Sequence, residues 1–277
     1  MMRINRVLNN NAVVIKAGDT EKIILGPGIA FQKGKNDIIS ESKVEKVFIL
    51  KEGNKKFEEL LKNVPEAHIL LGEEIISYAE EKLGVDLNHH IHISLTDHLS
   101  FAIERTEKGI VVKNKLTNEI RLLYDDEFQI GLWAIYRVKE KMGIELSIDE
   151  AAHIAVHIHT AKMQSTNVEE TINKTVIVLD MVDIISSYLE IEIDKKSLSY
   201  QRLITHLEFA INRFYSDEPF HQLDEEMMIM IKRKHDKAFL CAHHAAQFVQ
   251  AEYDMNFPDS EVAYIALHIQ RLIEDKK

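Results

Sequence analysis

Apolar and polar positions alternate in four short runs near the start of the chain: "INRVL", "AVVIKA", "EKIIL" and "KVFIL". The runs are rich in Val and Ile, and "NNN", "AGD" and "GPG" between them carry turn chemistry. This pattern predicts a small antiparallel sheet over residues 1–56. A sheet of that size buries little surface alone. Pairing through one sheet face would supply the missing core, which predicts a dimer.

Beyond residue 56 the period changes from two to about 3.6. In "EEIISYAEEKL", Ile75, Ile76, Ala79 and Leu83 recur at spacings of three and four, marking one face of a helix. "FQIGLWAIYRVKEKMGI", "AAHIAVHIHTAKM" and "VIVLDMVDIISSYLEI" are patterned alike, and only Pro65, Pro219 and Pro258 interrupt this region. The polar stretch "QSTNVEET" (164–171) has no apolar stripe and reads as a linker or module boundary.

The helical part repeats itself. "DHLSFAIER" (97–105) and "THLEFAINR" (205–213) share six of nine positions, at an offset of 108. "EAAHIAVHI" (150–158) matches "EVAYIALHI" (261–269) at an offset of 111, and "IIS" at 75–77 recurs at 184–186. Landmarks in one order at nearly one offset indicate a duplicated helical module of roughly 105 residues. Two copies make tandem bundles, not a solenoid.

Composition adds one asymmetry. Among 277 residues the net charge is −11, yet residues 1–56 hold eleven Lys or Arg against six Asp or Glu, a balance of +5. The remainder holds 23 against 39, a balance of −16. A basic module on an acidic body suggests that one end meets a polyanion. No apolar run is long enough to span a membrane, and the N-terminus lacks a secretory core. The single cysteine, Cys241, excludes an internal disulfide and fits a reducing cytoplasm.

Each module carries two landmark histidines, His98 with His157 and His206 with His268. Duplicated core histidines would give the same pattern. So would a reversible phosphoryl acceptor, since a neutral imidazole is a nucleophile near pH 7. His153 and His157, at i and i+4, have metal-ligand spacing, but Tyr264 replaces the first in the second copy and no zinc-protease Glu follows. Nucleophile elbows and Gly-rich phosphate loops are absent from the sequence. In the basic module, Asn9, Asn10 and Asn11 offer amides at a turn, Phe31 a ring, and Gly26 and Gly28 close backbone approach. Arg3, Arg6 and Lys33 offer phosphate contacts. RNA recognition uses this mixture; a turn tolerating positive φ and plain sheet packing would account for "NNN" and Phe31 as well.

In order along the chain, "INRVLNNNAVV", "GPGIAFQKGKND", "SLTDHLSFAIER", "RLLYDDEFQIG", "EAAHIAVHIH", "ITHLEFAINR" and "YIALHIQRL" resemble the bacterial sugar-operon transcriptional antiterminators of the BglG/SacY family. The resemblance covers essentially the whole chain. It implies a multidomain protein: a small antiparallel all-β co-antiterminator RNA-binding domain (1–56), then two homologous all-α helical-bundle phosphotransferase-system regulation domains (57–167 and 168–277). It further implies a cytoplasmic homodimer that holds a leader-mRNA hairpin and so prevents the overlapping terminator from forming. By motif, His98 and His157, then His206 and His268, accept phosphoryl groups from the phosphocarrier protein HPr and a sugar-specific permease component. The resemblance also implies that phosphorylation of the first pair inhibits and of the second activates. Asn11, Gly26, Gly28 and Phe31 fall in the RNA-contacting loops, and Arg6, Asn10 and Gln32 complete the expected RNA surface. No enzymatic activity, cofactor, metal or membrane insertion is implied.

Two departures stand out. Pro27 lies between the glycines where several relatives carry a basic residue, and Thr205 stands where the first copy has Asp97. If that aspartate orients the neighbouring histidine, the two modules are not chemically equivalent. A phosphotransferase-regulated DNA-binding activator is the alternative, but it needs a helix-turn-helix where this sequence reads as strands. A histidine-rich metal hydrolase is a third reading.

Overall fold

The computed structural model describes residues 2–17, 20–50, 63–216, 218–220 and 222–275. The expected boundary after residue 56 lies outside the described residues. Strands β1 (Ile4–Asn9), β2 (Ala12–Ala17), β3 (Thr20–Leu25) and β4 (Lys46–Leu50) form one antiparallel sheet in sequence order. β2 pairs with β3 in unbroken register from Ala12↔Leu25 to Ala17↔Thr20, whereas β1 shifts register twice along β2.

Both faces of β2 are covered, so "AVVI" is a continuous buried run and not an alternating one. Val13, Ile15 and Ile24 pack with Ile4 beneath the chain's own segment of Ile29, Ala30 and Ile39. Ala12, Val14, Ile23 and Leu25 on the opposite face receive Ile69 from the first helix, with Val64 and Ile93 beside it. Within a single chain, then, helical residues supply the core that four strands lack.

The helices are α1 (Glu66–Leu83), α2 (Ile91–Glu107), α3 (Thr117–Leu123), α4 (Asp125–Met142) and α5 (Ile148–Lys162), followed by α6 (Val168–Leu189), α7 (Leu198–Tyr215), α8 (Glu225–Lys234), α9 (Asp236–Tyr253) and α10 (Asp259–Glu274). Two compact units result: residues 1–114 with 126–166, and residues 115–125 with 167–277. In the first unit the apolar stripes of α1, α2, α4 and α5 close one core around Ile75, Leu95, Leu99 and Ile154. Gly131 of α4 permits the close approach to α5: a Cβ there would lie 2.2 Å from the Ala151 carbonyl oxygen. In the second unit α6, α7, α9 and α10 enclose Met181, Tyr200, Leu207, Cys241 and Ile265. The short α3 belongs to that unit, where the Tyr124 hydroxyl that follows it lies 3.1 Å from Thr175 and Lys195 donates to Glu119 at 2.7 Å.

The polar stretch 164–171 is only partly a linker. Asn167 caps α6, its side chain accepting from the Glu170 amide at 3.1 Å, and Glu169 and Glu170 occupy the first turn. Carboxylates there face the positive end of the helix dipole. The absent apolar stripe marks a helix beginning.

Candidate histidine pairs and the N-terminal loop surface

α2 packs on α5 and α7 packs on α10, and each contact brings one histidine of a pair against the other. On α2, Leu95, Leu99, Ala102 and Ile103 are buried, which leaves His98 at the edge of the packed stripe. Its ring centroid lies 5.0 Å from that of His157 on α5 and 5.3 Å from that of His153. His206 on α7 lies 4.7 Å from His268 on α10, the rings nearly parallel, with Tyr264 at 6.1 Å in place of His153.

A buried carboxylate stands behind each pair. Glu150, 3% exposed, places Oε2 3.2 Å from His98 Nε2 and receives Arg105 on Oε1 at 2.5 Å. Glu261, fully buried, places Oε1 2.8 Å from His206 Nε2 and lies 3.5 Å from Arg213. The imidazoles are within ion-pair distance but off the hydrogen-bond axis. Burial alone would raise the Glu150 carboxyl, yet His98 and Arg105 together hold it below the usual carboxylate range.

Other buried histidines are satisfied. His68 Nδ1 meets Ser100 Oγ at 2.9 Å, His92 Nδ1 meets Glu73 at 2.7 Å, and His159 Nδ1 meets Glu127 at 3.1 Å. Among the described residues, the buried imidazole nitrogens with no hydrogen-bond partner are His98 Nε2, His157 Nδ1, His206 Nε2 and His268 Nδ1. These are the four landmarks of the repeat. His98 Nε2 and His206 Nε2 still face a carboxylate, whereas His157 Nδ1 and His268 Nδ1 have no partner among the described residues, and native interiors seldom leave such atoms unpartnered without a functional reason.

Burial, reinforced by the neighbouring His98, pushes His157 down to about 3, and burial beside His206 pushes His268 down to about 4. Both rings are therefore neutral at physiological pH. An unfolded chain takes up protons on these rings below their ordinary value of 6.5 while the folded chain does not. Acidification therefore favours unfolding, the loss beginning near 6.5 and ending near each depressed value. Each ring contributes at most about 1.4 kcal/mol per pH unit inside its window. Denaturant melts at pH 7 and pH 5 should show that His157→Gln with His268→Gln loses less stability on acidification than the unaltered chain. Equal losses would rule this linkage out.

In the N-terminal module, the Asn10–Asn11 turn and the loop after β3 lock together. Ala30 N donates to the Asn10 carbonyl at 2.8 Å, Gly26 N donates to the Asn11 carbonyl at 2.9 Å, and Gly28 N donates to the Asn11 side chain. The Asn11 amide also donates to Glu66 of α1, so this residue is buried and engaged. Gly26 is required internally, since a Cβ would fall 1.6 Å from the Lys43 carbonyl oxygen, and Gly28 adopts φ +57°. Asn10, Gln32 and Phe31 are exposed, Phe31 at 59%, so plain sheet packing does not account for its ring. Arg6 is exposed and ion-paired to Glu21 at 3.0 Å, Arg3 donates to the Asn36 carbonyl, and Lys33 donates to the Ile38 carbonyl.

The CAT RNA binding domain family matches residues 2–57, and the PRD domain family matches residues 73–161 and 179–272. The chain is 37% identical over 276 residues to transcription antiterminator LicT of Bacillus subtilis (strain 168), covering 99% of each. It is 32% identical over 274 residues to the beta-glucoside operon antiterminator of Dickeya chrysanthemi, covering 98% of this chain and 96% of that protein. The chain belongs to the CAT–PRD family of transcription antiterminators. The crystal structure of GlcT CAT-PRDI agrees with it at a TM-score of 0.53 and 37% identity, over 58% of this chain and 97% of that one.

In this CAT–PRD protein the carboxylate against His98 is Glu150, from the opposite helix. Asp97 is exposed, and the carboxylates within ion-pair distance of His98 and, in the second PRD, His206 are Glu150 and Glu261. Four residues were missed from the sequence: Glu150, Glu261, Arg105 and Arg213. Their signal was present, because each lies at an identical position of a repeated phrase. Lys43 was missed too, and with less warning. Its ammonium donates to the Gly28 carbonyl at 3.1 Å and brings a positive charge to the loop where Pro27 carries none. Helix-turn-helix binding does not fit an N-terminal sheet matched by an RNA-binding domain. Among the described residues no group of three or more His, Cys, Asp or Glu side chains is placed to hold a metal, and no helix is long and apolar enough to cross a membrane.

Proposed function

We propose that this antiterminator holds a leader-mRNA hairpin of a sugar operon with its CAT domain and is switched by phosphoryl transfer to His98, His157, His206 and His268. The observation that carries the switch is the coincidence of the four repeat landmarks with two matched imidazole pairs. In each pair one buried nitrogen has no partner among the described residues (His157 Nδ1, His268 Nδ1) and the other faces a buried carboxylate (His98 Nε2, His206 Nε2). His157 and His268 bury Nδ1, so Nε2 is the proposed acceptor; His98 and His206 turn Nε2 toward a carboxylate, so Nδ1 is the proposed acceptor. In transfer the acceptor lone pair attacks phosphorus as the donor's P–N bond breaks. The acceptor ring releases one proton and the donor ring takes one up. HPr and a sugar-specific permease component are the proposed donors, acting in the cytoplasm.

For RNA, the proposed contact surface is Arg6, Asn10, Phe31 and Gln32, with the backbone at Gly26 and Gly28 shaped by Asn11. A homodimer is part of this reading. Without Ile69, a CAT fragment exposes Ala12, Val14, Ile23 and Leu25 together, and a second copy would cover them. The domain division is proposed as residues 1–56, 57–167 and 168–277. The test is incubation of the full chain with phosphoenolpyruvate, enzyme I and HPr, followed by mass spectrometry that preserves acid-labile phosphohistidine. Label is expected on at least one histidine of each PRD after the permease component is added. Absence of label from all four would refute the switch.

A further inference from the structure

The two histidine pairs differ in the charge around them. In the second PRD the cavity holding His206 and His268 is lined by Arg202, Thr205 and Phe209. Arg202 precedes His206 by four residues on α7, and Arg271 follows His268 by three on α10, spacings that place each beside its histidine on the helix surface. Both arginines are exposed. Among the described residues neither guanidinium has a hydrogen-bond or carboxylate partner, unlike Arg213, which Glu261 engages. Both act electrostatically on His268.

The first PRD lacks this pair. Ser94 stands at the position of Arg202, Thr160 at that of Arg271, and the exposed Asp97 at that of Thr205. Thr160 is buried, its hydroxyl donating to the Val156 carbonyl at 2.8 Å. The groups acting on His157 are other histidines: His98, His153 and His90. Thus two uncommitted cations act on one pair, and the matching positions of the other carry no cation.

We propose that Arg202 and Arg271 form a phosphate clamp found only in the second PRD, holding the phosphoryl group on His206 or His268. Guanidinium forks match phosphate oxygens and stay charged at any working pH. The clamp gives the dianion a partner there, whereas the first pair has Ser94 and Thr160 at those positions; the buried carboxylates Glu150 and Glu261 stand behind both pairs alike and do not distinguish them. The inference rests on the proposal that these histidines accept phosphoryl groups.

The test uses the full chain and potassium phosphoramidate, a small donor that needs no docking surface. Site-resolved phosphohistidine is followed over time by mass spectrometry. Arg202→Gln with Arg271→Gln is expected to slow labelling of His206 and His268 by at least about tenfold, an order set by lost charge-assisted hydrogen bonds. Labelling of His98 and His157 should be unchanged, and Arg202→Lys with Arg271→Lys should retain most of the second-PRD rate. Ser94→Arg with Asp97→Thr should speed labelling of the first pair. Unchanged second-PRD labelling in the double Gln variant, with an unaltered thermal melt, overturns the clamp while leaving the phosphoacceptor reading intact. An equal loss in both PRDs overturns it also. No label on any of the four histidines removes both.

Discussion

Replacing His206 and His268 together by alanine is expected to abolish antitermination, whereas His98→Ala with His157→Ala is expected to give antitermination without inducer. The two pairs are similar in placement, so opposite effects are expected to come from what surrounds the added charge. A phosphoryl group turns a neutral ring into a dianion, which either repels across a packed surface or finds a cation there. On the second pair the proposed clamp of Arg202 and Arg271 would receive it; on the first, Ser94 and Thr160 stand at those positions and supply no cation, while a buried carboxylate lies behind each pair. The substitutions leave each buried carboxylate its arginine, Glu150 with Arg105 and Glu261 with Arg213, so the bundles keep their central ion pairs. A reporter gene behind the leader terminator, read with and without the inducing sugar, measures the outcome. Normal induction in all four single alanine variants would mean that the repeated histidines are structural.

Phe31→Ala is expected to weaken hairpin binding by about 1–3 kcal/mol, the range for losing one base stacked on an aromatic ring. At 59% exposure the ring contributes little to the fold, so the loss should appear in binding and not in stability. Affinity of the unaltered protein should fall steeply with salt, since neutralised phosphates release counterions. Phe31→Ala should leave that slope alone, while Lys43→Gln should lower it by about one if its ammonium meets a phosphate. Fluorescence titration of a labelled leader hairpin at several salt concentrations separates the two effects. Unchanged affinity in a folded Phe31→Ala protein would place RNA elsewhere on the CAT domain.

The four strands, the helical period and the duplication were all legible in the sequence. A hydrophobic pattern records which face of an element is buried, and a repeated phrase records shared ancestry without any coordinates. The four histidines were legible for the same reason, because each sits inside a repeated phrase. What covers each face was not. The sheet's outer face is closed by Ile69, more than forty residues beyond β3, and a periodicity names no partner. The glycines of the loop read as points of partner approach, yet Gly26 faces Lys43 of the same chain.

By itself, then, the sequence determined the elements, the tandem modules and the residue types proposed for phosphoryl transfer and RNA contact, since these depend on local spacing and composition. Only the tertiary structure decided that Glu150 and not Asp97 stands against His98, that α3 packs with the second unit, and that Arg202 and Arg271 remain uncommitted beside one histidine pair. Those outcomes depend on which helices cross and how far apart charged atoms finish, and neither is a property of neighbouring residues along a chain.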